Sequence, residues 1–71
     1  MNLKEIVFRS DKLPITQDES LYVIKEYIKL RKGVDVNPTI NTSNEMVAMA
    51  HLQIMTRMVR YAIGWLRTNL D

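Results

Sequence analysis

Apolar residues recur at helical spacing over two stretches of the chain. Between Ser43 and Leu70, the positions Ala48, Leu52, Met55, Val59, Ala62 and Leu66 advance by four and three, and Val47, His51, Ile54, Met58, Tyr61 and Trp65 form a second stripe beside them. Thr42 and Glu45 have the spacing of a capping box and no proline follows them, so a long helix is predicted over 43–70. Thr16 and Glu19 have the same spacing. Behind them Leu21, Ile24 and Ile28 share a face with Val23, Tyr27 and Leu30 alongside, and Gly33 can take the left-handed conformation that ends a helix. Lys29, Arg31 and Lys32 in the last turn complement the helix dipole, so a shorter helix is predicted over 16–33. Residues 34–42, with Pro38 and its neighbouring asparagines, read as a loop. Residues 1–15 read as an extended arm and turn, because LKEIVFR alternates weakly and a proline follows at position 14.

The expected fold is all-α: one domain over 1–71, in which a short extended arm precedes an antiparallel helical hairpin. At 1.5 Å per residue the long helix spans roughly 42 Å and the short one about 24 Å. One partner helix cannot cover both stripes, so the Val59 to Leu70 end is left for the arm or for other chains. A homo-oligomeric bundle is expected, with Leu52, Met55, Val59, Tyr61, Ala62, Trp65 and Leu66 at the interface.

Composition strengthens that expectation. The chain has 71 residues, no cysteine and a single histidine, so disulfides and thiolate zinc sites are unavailable as supports for a small core. A formal net charge of +2 is too small for a dedicated duplex-DNA binder and compatible with a small anionic ligand. No apolar run approaches the roughly 18 residues of a membrane span, and the N-terminus lacks a signal-peptide core. The expected location is cytoplasmic, and the Asn41-Thr42-Ser43 sequon is then read as capping sequence.

Candidate chemistry is sparse. Gln53, Arg57, Arg60, Gly64 and Arg67 share one polar stripe, and no acidic residue lies between Glu45 and Asp71; a solvated face and an anion site account for this equally well. Gly64 costs the helix about 1 kcal/mol relative to alanine and can admit a close neighbour. Phe8 and Arg9 in the arm, with Lys25 and Lys29 on the first helix, combine an aromatic face with cations, as a nucleotide site requires. Spacing alone favours the plainer reading, a core phenylalanine and solubilising lysines. His51 lies within an apolar stripe without companion ligands, so packing is its expected role and no metal is expected. No nucleophile elbow surrounds Ser10, Ser20 or Ser43, the carboxylates of Asp18 and Glu19 suit a helix N-terminus, and two glycines cannot make a phosphate loop; no catalysis and no cofactor are expected.

Phe8-Arg9, the run LPITQDESLYVIKEYI and the run AHLQIMTRMVRYAIG, with His51-Leu52-Gln53 and Ala62-Ile63 inside it, resemble the helical-hairpin domain of phage anti-CBASS and anti-Thoeris sponge proteins. The resemblance implies a compact homo-oligomer, a hexamer, that binds cyclic oligonucleotide signals between protomers and withholds them from bacterial immune effectors without catalysis. Cyclic di- or trinucleotides and cyclic ADP-ribose isomers are the implied ligands. It further implies base stacking on Phe8 and a phosphate contact from Lys25 or Lys29, with Phe8 standing where the family has tyrosine. Arg57 and Arg60 are candidates for lining a second anion site. Two other readings compete: an oligomer that binds a host protein through its methionine-rich and aromatic surface, including Tyr61 and Trp65, and, behind it, a ribbon-helix-helix DNA binder.

Overall fold

The computed structural model describes residues 2–9, 16–39 and 43–70. These form three helices, α1 (Leu3–Phe8), α2 (Gln17–Lys32) and α3 (Glu45–Asn69), and no strand occurs among the described residues. The all-α expectation holds.

α2 starts and stops where its chemistry says it should. Glu19 N–H donates to the Thr16 hydroxyl at 3.1 Å while Thr16 N–H donates to the Glu19 carboxylate at 3.0 Å, a complete capping box. At the other end Gly33 adopts φ 69° and its N–H donates to Lys29 O at 2.9 Å. α3 begins two residues later than expected, and its cap is Asn44, whose side-chain oxygen accepts from Val47 N–H at 2.8 Å. Thr42, the expected cap, lies outside the described residues.

The N-terminal segment is a helix, not an extended arm. Asn2 caps it by accepting from Glu5 N–H at 3.1 Å, and Leu3, Ile6 and Val7 fall on one face at helical spacing. A six-residue helix has no stability of its own. It is held by burial, with Ile6 6% and Val7 0% exposed, and by Arg67, whose Nε donates to the Val7 carbonyl at 3.0 Å. The Val59 to Leu70 end of α3 is thus met by the chain's own N-terminal helix. Because these residues are helical, the strand that a ribbon-helix-helix protein needs is not formed by Leu3–Phe8.

α2 packs across α3. Leu21 and Ile24 share a hollow with His51, Ile54, Met55 and Met58, and Tyr27 and Arg31 meet Tyr61 and Trp65. α1 bridges the two, joined to the start of α2 by Arg9 and Glu19 and to the end of α3 by Val7 and Arg67. After Gly33 the connection brings Pro38 and Thr39 beside Leu21 and Ile24.

The core consists of Ile6, Val7, Val23, Ile24, Met55, Val59, Ala62, Ile63 and Leu66, with Ser20 the buried polar residue at its edge. Four positions expected at an oligomer interface, Met55, Val59, Ala62 and Leu66, are therefore consumed inside one chain. The reason is that α1 and α2 together cover the first stripe of α3 from Met55 to Leu66. Trp65 is half-buried against the ring of Tyr27, while Leu52 and Tyr61 remain 41% and 63% exposed.

Candidate functional site

Phe8 ends α1 with its side chain 46% exposed, although its neighbours Ile6 and Val7 are buried. Arg9 follows as the C-cap residue, and its two terminal nitrogens donate to the two Glu19 carboxylate oxygens, each at 2.9 Å. The Arg9 guanidinium, and then the Thr16 backbone N–H, hold the Glu19 carboxyl down at about 2. Glu19 therefore serves two ends at once. It completes the α2 cap and clamps α1 to it through a two-pronged ion pair, so the Arg9 fork is already occupied.

Lys25 follows Glu19 by six residues, which places it about 9 Å along α2 and roughly 120° around it. Lys25 is half-buried and Lys29 exposed. The arginines of α3 separate. Arg67 is drawn to the α1 carbonyl, Arg57 borders a hollow beside Tyr61, and Arg60 is exposed. A Cβ built on Gly64 meets no atom within 4 Å.

Two adjoining hollows lie between α2 and α3. A hollow of about 250 Å³ is bounded by Leu21, Ile24, Pro38, His51, Ile54 and Met58, and it passes over Ile24 and Met58 into a second of about 300 Å³ edged by Tyr27, Arg57 and Tyr61. Its outer wall is apolar and open to solvent, with Ile54, Met58 and Tyr61 at 56%, 42% and 63% exposure.

One cluster beside it escaped the sequence reading. The Arg31 guanidinium carbon sits 5.7 Å from the Tyr27 ring centre and 5.8 Å from each of Tyr61 and Trp65. Tyr27 meets both other rings edge to face, at 6.2 and 5.5 Å. Arg31 also donates to the hydroxyls of Tyr27 and Tyr61, which keeps it protonated and pulls the Tyr61 phenol below its ordinary value. The signal was present as two i, i+4 pairs, Tyr27–Arg31 and Tyr61–Trp65; pairing one with the other required the packing of α2 on α3.

The described residues contain no group of three or more histidine, cysteine, aspartate or glutamate side chains placed to hold a metal ion. No described helix is long and apolar enough to cross a membrane. Compared with protein-family models, curated proteins and solved structures, the chain finds no match.

Proposed function

We propose that this chain is a non-catalytic binding protein that sequesters a cyclic oligonucleotide signal in a site completed between protomers, the role its resemblance to phage sponge domains implies. The observation that carries the reading is Phe8: a large ring left 46% exposed at the end of a helix whose two preceding side chains are buried. A ring held on a docked helix is a stacking platform that accepts any base. The Arg9–Glu19 clamp supports it, and Arg9 then acts by fixing Phe8 rather than by touching phosphate. Lys25 and Lys29 supply the phosphate contacts, the role the resemblance gives to a lysine of this helix. Arg57 and Arg60 offer further cations for a larger cyclic anion. Such a protein works in the cytoplasm of an infected bacterium and needs neither cofactor nor duplex DNA.

A thermal-shift screen against cyclic di- and trinucleotides and cyclic ADP-ribose isomers tests this, because a ligand that binds only the folded chain raises Tm. At tens of micromolar ligand, a rise is expected that Phe8→Ala and Lys25→Ala reduce. No shift with any of them overturns the reading.

A second reading draws on the open groove between α2 and α3: binding of a host protein through Ile54, Met58 and Tyr61. It predicts that an acidic amphipathic helical peptide competes with 8-anilinonaphthalene-1-sulfonate for the groove, and unchanged dye fluorescence contradicts it.

A further inference from the structure

We infer that the groove between α2 and α3 binds a medium-chain alkyl carboxylate, its tail along the aliphatic part of the groove and its head at Arg57. The site uses none of Phe8, Arg9, Lys25 and Lys29, so it goes beyond the reading above and does not depend on it.

The groove is apolar along its length. Leu21 and Ile24 come from α2, Ile54 and Met58 from α3, and the hollow of about 250 Å³ that they border continues over Ile24 and Met58 into the one of about 300 Å³. Between His51 and Tyr61, which edge its two ends, α3 rises roughly 15 Å. An extended chain advances about 1.2 Å per bond, so a tail of about twelve carbons matches this length. The unbranched thioether of Met58 adapts to a flexible occupant.

The arginines stand together at one end. Arg57 edges the second hollow with Tyr27 and Tyr61, and Arg31 sits against the same two rings, its guanidinium carbon 5.7 and 5.8 Å from their centres. Arg31 already donates to both tyrosine hydroxyls and contributes its charge. Arg57 has no hydrogen bond or ion pair with any described residue, and no described residue lining either hollow is a carboxylate. An exposed guanidinium fork without a counter-ion is complementary to a planar, singly charged carboxylate. A helix laid in the groove would present side chains evenly along it, whereas cations at one end and aliphatic walls at the other match one head and one tail.

Fluorescence of Trp65, the chain's single tryptophan, follows the binding from its place against Tyr27. Sodium dodecanoate below its micelle concentration is expected to give a saturable change with unchanged far-UV circular dichroism. Affinity is expected to rise about twofold to fourfold per methylene from octanoate to dodecanoate, as each added group is partly or wholly buried. Arg57→Gln is expected to weaken dodecanoate binding about tenfold. Met58→Glu is expected to abolish it, and both positions are exposed, so the fold tolerates either change. Dodecyltrimethylammonium, with the same tail and the opposite charge, is expected to give no saturable change. No saturable response to dodecanoate overturns the inference. So do an equal response to the cation, full affinity in both variants, and loss of the helical signal in step with the fluorescence. Binding of an acidic amphipathic helical peptide without binding of dodecanoate gives the groove to a protein partner and overturns it as well. A response to dodecanoate with none to cyclic nucleotides supports this site and overturns the sponge reading, and the reverse pattern overturns this site alone.

Discussion

Glu19 shows how much one side chain can carry in a chain this small. Its carboxylate accepts from the Thr16 backbone and from both prongs of Arg9, so the ionised form is favoured and its pKa is pulled from 4.5 to about 2. A folded-state pKa below the unfolded one adds stability that is fully present above the unfolded value and is lost as pH falls towards the folded one. The wild type is therefore expected to melt at a higher temperature than Glu19→Gln at pH 7, with the gap closing between pH about 5 and about 2. Parallel melting curves followed by circular dichroism measure this, and a gap independent of pH contradicts it. The capping half of this role was legible from the Thr16–Glu19 spacing. The ion pair was not, because it depends on α1 being a helix that delivers Arg9 to the start of α2.

The same dependence on context explains the fate of the N-terminal element. Six residues do not propagate a helix in isolation, and LKEIVFR alternates just enough to resemble a strand. The correct pattern was nevertheless present in Asn2, Glu5 and the Leu3-Ile6-Val7 face, and burial against α2 and α3 decided between them. Ile6→Ala is expected to cost about 2 kcal/mol, at the low end for a buried isoleucine because a terminal helix can settle into the gap. In a domain of this size that lowers Tm by roughly 10 °C. A change under 2 °C in differential scanning calorimetry means that α1 is not part of the core. By contrast α2 was readable to the residue at both ends, since its caps are local chemistry, and α3 was readable in extent but not in the identity of its covered face.

At the scale of the molecule, how the three helices close on one another is what the sequence could not convey. The helical spacing marks Ile24 and a stripe of α3 as buried, but not that α1 would join the start of α2 to the end of α3 or that the connection after Gly33 would run beside Leu21. This arrangement also determines which surface is left for others. It uses Met55, Val59, Ala62 and Leu66 internally, sets Arg31 among three rings, and leaves Ile54, Met58, Tyr61 and the Phe8 ring outside.

Titration calorimetry of the intact protein with the cyclic nucleotide giving the largest thermal shift tests the central claim most directly. A site completed between protomers predicts saturable binding at no more than one ligand per chain, abolished by Phe8→Ala while the helical signal is retained. Absence of saturable heat, or one ligand per chain undiminished by Phe8→Ala, contradicts it.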